Sequence, residues 1–253
     1  MAVTIKSKSE IAIMKEAGMI LAKVHKELEK SVKAGMSTLE VDALCEKLVR
    51  GYGAIPSCKG YEGFPGSICV SINDEIVHGI PRKDKIIKDG DLVSLDFCVL
   101  YKGWQSDAAR TLQIGEVSPE AKKLNEVTKQ CFYEGIKYAK AGNHLYDISA
   151  AINDYADSFG YGVIRELVGH GIGKEMHEDP QIPNFRQRRR GLKLEPGMTL
   201  CIEPMISMGR PEIVILDDDW TVLTEDGSLA SHYENTILIT DGEPEILTPV
   251  ESL

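Results

Sequence analysis

The chain repeats itself at a nearly fixed interval, and this restricts its architecture more than any other feature. "KAG" closes at Gly35 and again at Gly142, 107 residues on, and "GYGAI" (51–55) is echoed by "GYGVI" (160–164). "DGDLVSLDF" (89–97) aligns with "EPGMTLCIEP" (195–204), setting Gly90 on Gly197 and Asp96 on Glu203 at the same interval of 107. A duplicated chain builds two similar halves and joins them about a pseudo-two-fold axis.

Each half reads as two helices followed by sheet. Met14, Ala17, Leu21, Val24 and Leu28 recur at helical spacing, and that segment closes at Lys33-Ala34-Gly35. Ser37 and Glu40 form a capping box for a second helix carrying Leu44 and Leu48. In the second half Ser118-Pro119-Glu120 opens a helix that ends at Lys140-Ala141-Gly142, and another follows from about Leu145. No Pro/Gly/Ser-rich linker separates the halves. The expected fold is mixed α/β (α+β), a central antiparallel sheet with helices outside. A single domain over 1–253 is expected, built from halves of about 1–112 and 113–253, with residues 1–10 as a short arm.

"LVSLDFCV" (92–99) is a β-branched, apolar strand broken by Asp96, a residue poorly suited to strand interiors. A buried, unpaired carboxylate costs several kcal/mol, so Asp96 needs a partner. Alternation puts Ser94 and Asp96 on one face, with Cys201 and Glu203 as their counterparts. If Lys102-Gly103 is a two-residue turn, residue 98 pairs with 107 and 96 with 109. Asp107 then shares the face of Asp96 at a diagonal of roughly 7–8 Å, and two such charges repel unless a cation lies between them. A turn displaced by one residue would put them on opposite faces. Glu234 interrupts a strand in "SHYENTILIT", and "LVGHGIGKEMHEDP" (167–180) adds His170 and His177 among glycines that allow close backbone approach. Four carboxylates and an imidazole suit a dinuclear site for Mn, Fe, Co or Zn. Singly, each has a plainer reading: Asp96 as a solvated acid, His78 and His177 as surface histidines, and Cys58, Cys69 and Trp220 as packing residues.

Composition excludes several classes. Hydrophobic residues make up 43% and charged ones 27%, ordinary for a globular enzyme, and the net charge of −10 opposes general nucleic-acid binding. No window approaches the ~20 apolar residues of a membrane span, and "MAVTIKSKSE" has no apolar run that reads as a signal peptide. Cys45, Cys58, Cys69, Cys98, Cys131 and Cys201 form no CxxC pair, so free thiols in a cytoplasmic protein are expected.

"NDEIVHGIP" (73–81), "LVSLDF" (92–97), "SDAART" (106–111), "VGHGIGKEMHEDP" (168–180), "LEPGMTLCIEP" (194–204) and "HYENTI" (232–237) together resemble the type I methionine aminopeptidases over nearly the whole chain. The resemblance implies the pseudo-two-fold "pita-bread" fold and removal of the initiator methionine from nascent chains, with a preference for a small second residue. It implies two divalent metals held by Asp96, Asp107, His170, Glu203 and Glu234, so that Asp96 would be paired with a metal ion. Asp107 and Glu234 would bridge the metals, Asp96 complete one, and His170 with Glu203 the other. A metal-bridging hydroxide would attack the methionyl carbonyl, with Glu203 shuttling the proton, His177 stabilising the oxyanion and His78 contacting the scissile nitrogen.

The methionine pocket implied is Cys58, Tyr61, Phe64, Cys69, Met176, His177 and Trp220. Thiols and aromatic edges suit a thioether, at about 0.3–1.5 kcal/mol per sulfur–aromatic contact. Met176 departs from the family's usual phenylalanine, which affects pocket shape. A monovalent cation near Asn73 is also implied. The chain resembles the short, bacterial-type enzymes, lacking an N-terminal extension or a helical insertion, and is expected to be a monomer. "RQRRR" (186–190) reads as a solvated loop, or as a docking point on ribosomal RNA. The rivals are a proline-specific aminopeptidase, a non-catalytic pita-bread module and a dinuclear phosphoesterase. The first usually carries a large N-terminal domain, the second typically loses metal ligands, and the third leaves the thiol and aromatic pocket without a purpose.

Overall fold

The computed structural model describes residues 3–253. Four helices, α1 (Lys8–Ser31), α2 (Thr38–Gly51), α3 (Pro119–Ile136) and α4 (Leu145–Asp157), alternate in pairs with antiparallel sheets. Ser7 and Glu10 cap α1 reciprocally, as Ser37 and Glu40 cap α2. That first capping box makes the N-terminal arm shorter than expected: it ends at Ser7, and residues 8–10 already lie in the helix. Met1 and Ala2 fall outside the described residues. A second boundary also shifts. α3 stops at Ile136, and residues 137–142 form turns closed by bonds such as Tyr138 N–H to Gly135 O at 3.0 Å.

In the first half, strand Leu92–Tyr101 is central. Trp104–Gln113 pairs along its whole length, while Cys69–Ile72 and Ile55–Pro56 share its other edge. In the second half five short strands run Glu245–Ile246, Asn235–Leu238, Thr199–Ile202, Gly169–Gly171 and Glu178–Ile182 in spatial order. Two three-stranded sheets flank these. One contains Ala230–His232, Met205–Ser207 and Gly162–Val163, and the other Ile213–Ile215, Val222–Thr224 and Glu75–Val77.

Side-chain alternation decides which face each sheet buries. Val93, Leu95, Phe97 and Val99 pack with Leu21, Val24 and Leu28 of α1 and with Val41, Cys45 and Val49 of α2. Leu200, Ile202 and Ile237 pack with Leu124, Val127 and Phe132 of α3 and with Ile148 and Ile152 of α4. Burying each such side chain contributes roughly 1.5–3 kcal/mol. With the helices fixed on those faces, Asp96 and its neighbours are turned the other way.

The 107-residue interval recurs in the backbone. The isolated bridge Ser37↔Ile86 reappears as His144↔Lys193. Gly35 N–H donates to Ile87 O and Gly142 N–H to Leu194 O, at 2.8 and 3.0 Å, with φ at +91° in both glycines. All six cysteines are buried and free, and none of the helices among the described residues is long and apolar enough to cross a membrane.

Candidate metal centre

The hairpin at Lys102-Gly103 sets the first two acids. Both turn residues have positive φ, and the register joins Cys98 to Asp107 and Asp96 to Ala109. Asp96 and Asp107 therefore share a face. On the second half, Asn235 pairs with Ile202 and His232 with Met205 in one continuous register, which carries Glu203 opposite Glu234 between the two ladders. Thr236 joins the halves: its hydroxyl accepts from Asp107 N–H at 3.0 Å and donates to Asp107 O at 2.9 Å. Glu234 N–H donates to Ala109 O at 3.0 Å.

His170 enters on the Gly169–Gly171 strand. A Cβ on Gly169 would lie 2.4 Å from Cys201 O, and one on Gly171 2.2 Å from Asp179 O, so glycine is required on both sides of the imidazole. His170 Nδ1 lies 2.8 Å from Gly171 O, which fixes Nδ1 as the protonated nitrogen and leaves the Nε2 lone pair free. Nε2 sits 3.6 Å from Glu203 Oε1 and 3.9 Å from Asp107 Oδ2. A cavity of about 260 Å³ is lined by Asp96, Asp107, His170, Glu203 and Glu234, together with His78, His177 and His232.

The electrostatics of this cavity are unfavourable by themselves. Burial, then the neighbouring carboxylates, push Asp96, Glu203 and Glu234 well above the usual carboxylate range, and burial raises Asp107 too. Burial likewise drives His170 down to about 3, so its ring is neutral. Asp107 Oδ1 and Glu234 Oε1 are buried with no hydrogen-bond partner among the described residues. Orphaned acceptors and crowded carboxyls are what a divalent cation relieves. The donor set of four carboxylates and one neutral imidazole fits hard or borderline divalent ions.

Donor atoms of Asp107, His170, Glu234 and Cys201 all lie within 4.8 Å of one another. Cys201 is the unexpected member. Burial pushes its thiol well up, which keeps the proton on and makes it a poor ligand beside ionisable oxygens. Asp96 and Glu203 stand outside that tight group but line the same cavity. Two further residues belong to the site, and the register that pairs 98 with 107 already put Cys98 beside Asp107. Cys98 Sγ donates to Asp107 Oδ2 at 2.7 Å. His232 lies within the cavity, and its place two residues before Glu234 on an extended segment was the one available clue.

The residues expected to hold methionine gather beside this cavity. Cys58, Phe64, Cys69 and Met176 are buried in one apolar cluster, with Tyr61 and Trp220 packed against it. Phe64 and Trp220 meet edge to face at 5.1 Å, and His78 approaches Trp220 at 6.1 Å. His177 is exposed, 4.3 Å from the His170 ring. His78 follows a strand with φ at +58°, and burial, then the His177 charge, lower its pKa to about 4.

A model of metallopeptidase family M24 matches residues 12–241. The chain is 52% identical to a methionine aminopeptidase of Clostridium acetobutylicum over 249 residues, covering 98% of this chain and 100% of the relative. It is 47% identical to methionine aminopeptidase 1 of Bacillus subtilis, covering 97% and 98%. Among solved structures, a methionine aminopeptidase of Thermotoga maritima superposes with a TM-score of 0.95 at 43% identity, over 98% of this chain and 99% of that one. With its acids, imidazoles and apolar pocket in this arrangement, the chain belongs to metallopeptidase family M24 and, within it, to the type I methionine aminopeptidases.

Proposed function

We propose that this protein removes the N-terminal methionine of nascent proteins and peptides, using Asp96, Asp107, His170, Glu203 and Glu234 to hold two divalent ions. The observation that carries this reading is the His170 Nε2 lone pair, turned toward Glu203 and Asp107 in a cavity that also holds orphaned oxygens of Asp107 and Glu234. Bound there, divalent ions of the Mn, Fe, Co or Zn class would supply Lewis acidity, bringing the pKa of water near neutrality.

The chain's own groups do the rest. Glu203 takes the proton from the attacking water and returns it to the leaving amine nitrogen, the transfer that places a base within hydrogen-bond reach of both atoms. His177 donates to the carbonyl oxygen as negative charge develops there. His78 contacts the scissile nitrogen. Cys58, Tyr61, Phe64, Cys69, Met176 and Trp220 enclose the thioether, and their shared apolar cluster supports this.

Four finer points belong to the same reading. The recurring bridges and turns support a single domain of two related halves. A monovalent cation near Asn73 would use backbone carbonyls, although Asn73 O already accepts from Ala230 N–H at 2.8 Å. Ion pairs of Arg186 with Asp154 and of Arg190 with Asp147 tie the basic loop to α4, so docking on ribosomal RNA would rest on the exposed Arg188 and Arg189. Action on nascent chains would locate the protein in the cytoplasm.

The test is release of free methionine from Met-Ala and Met-Gly peptides, with Pro-Ala as control, before and after chelation and metal re-addition. Metal-dependent release from the Met peptides alone is expected. Cleavage of Pro-Ala at a similar rate would favour a proline-directed enzyme.

A further inference from the structure

We propose that His232 is a positioning residue for this reaction, holding the Glu203 carboxylate from the side opposite His170. The proposal rests on Glu203 being the group that carries the proton.

The backbone of His232 is pinned. Its N–H donates to Thr111 Oγ1 at 3.0 Å, and its carbonyl accepts from the same hydroxyl at 2.9 Å. The ring is only 1% exposed and lines the cavity, yet neither ring nitrogen has a hydrogen-bond partner among the described residues. Leaving a buried polar group unpaired costs about 1–3 kcal/mol. A rigid strand that presents such a ring to a reaction cavity implies a partner in the working enzyme.

Distance selects that partner. His232 Nε2 lies 3.8 Å from Glu203 Oε2, while His170 Nε2 lies 3.6 Å from Glu203 Oε1. The two oxygens of Glu203 thus face different imidazoles. The two rings are not equivalent. His170 is locked by Gly171 O with its Nε2 lone pair exposed, as a ligand requires. No bond fixes Nδ1 of His232, so its Nε2 is free to carry the proton and donate to a carboxylate. Closing the gap by about 1 Å makes that a charge-assisted hydrogen bond of ordinary length. A carboxylate that accepts a proton and then returns it must keep one orientation through both transfers, and a donor on its second oxygen supplies that constraint.

The experiment compares H232L, H232Q and H232N with the parent, all metal-loaded and full length, beside E203Q. Losing a supporting bond of this kind costs about 10–100-fold. H232L is therefore expected to lose kcat on a Met-Ala peptide by that factor, with KM within about 3-fold of the parent and metal stoichiometry unchanged. H232Q, whose amide nitrogen reaches the place of Nε2, should recover most of the rate. H232N reaches only the place of Nδ1 and should stay as slow as H232L. A parent-like kcat in H232L, or faster turnover by H232N than by H232Q, overturns the proposal. Loss of metal from H232L would make the residue a ligand, and a raised KM alone would make it a substrate contact; either result also overturns it. If thermal melting shows that H232L does not fold, the comparison of H232Q with H232N decides. E203Q separates the two levels. Parent-like turnover by E203Q removes the role of Glu203 itself, whereas an inactive E203Q beside a parent-like H232L removes only that of His232.

Discussion

The Tyr61 hydroxyl lies 2.8 Å from His177 Nδ1, joining the 57–69 loop to the glycine-rich segment that carries His170. Burial raises the Tyr61 pKa, so the phenol keeps its proton and donates. Nδ1 then accepts, and in the neutral tautomer that this bond selects, the ring proton sits on Nε2. That tautomer can donate to a carbonyl oxygen. His177→Ala should therefore lower kcat by about 100–1000-fold, the range for removing one oxyanion donor, while the purified protein keeps its metal content. Tyr61→Phe should cause a smaller loss, on the order of 10-fold. Metal missing from the His177 variant, measured by elemental analysis, would show that a ligand has been taken for a catalytic group.

Metal removal should leave a pH signature in stability. Burial and mutual repulsion raise the pKa values of Asp96, Glu203 and Glu234 in the metal-free fold. Folding then takes up protons, and the stability of the metal-free protein falls as pH rises above the unfolded carboxylate range of about 4. A divalent ion displaces those protons and cancels the loss. The rise in Tm when Mn(II) is added to chelated protein should be larger near pH 8 than near pH 6. Equal rises at both values would mean that these carboxyls are not the ligands.

Behind the site, Arg110 makes a two-point contact with Glu251, Nε to Oε1 at 2.9 Å and Nη2 to Oε2 at 3.0 Å, and also bonds the carbonyl of Glu234. Burial works to raise the Glu251 pKa, but the Arg110 charge and hydrogen bonds outweigh it and hold the value to about 2. A depressed carboxylate contributes stability above its unfolded pKa and loses it as pH falls through the folded one. Glu251→Gln should be less stable than the parent at neutral pH by about 1–2 kcal/mol, allowing for solvent screening. Urea melts at successive pH values should show that difference shrinking as pH is lowered from about 5 towards 3. A difference independent of pH would assign the effect to packing.

The acid-bearing hairpin could be read from the sequence because its register depends on a local turn, Lys102-Gly103, and on strict alternation from it. The glycines around His170 were legible for a similar reason, since close backbone approach leaves no alternative residue. The end of α3 was not. The "KAG" motif marks a turn in both halves, but the preceding helix stops several residues earlier, at Ile136. The Tyr61–His177 bond and the approach of His232 to Glu203 were out of reach for another reason. Each depends on a contact whose partner arrives from a different strand or loop, and no local periodicity encodes it.

Selectivity should extend to the second residue of the substrate. The cavity holds about 260 Å³ among Val77, His78, Leu167, Val168, Met205 and the acids, a small volume for a scissile bond and the side chain beyond it. His78 lines this cavity, and the chain is fixed at the next residue: Gly79 N–H donates to Ser71 Oγ at 3.0 Å, and Val70 N–H to Gly79 O at 2.9 Å. A Cβ on Gly79 would lie 2.4 Å from Val70 O, so this loop has little room to retreat. A branched or long second side chain would meet that wall before the carbonyl reached its reacting position. Misplacement by about 1 Å can cost ~100-fold in rate, so Met-Ala-headed peptides should exceed Met-Leu- and Met-Lys-headed peptides of equal length by at least about that factor in kcat/KM. The effect should lie mainly in kcat, because methionine itself would be held by the separate apolar cluster around Phe64 and Met176. Similar efficiencies on all three peptides would mean that the His78 loop yields, and would point to an aminopeptidase of broad specificity.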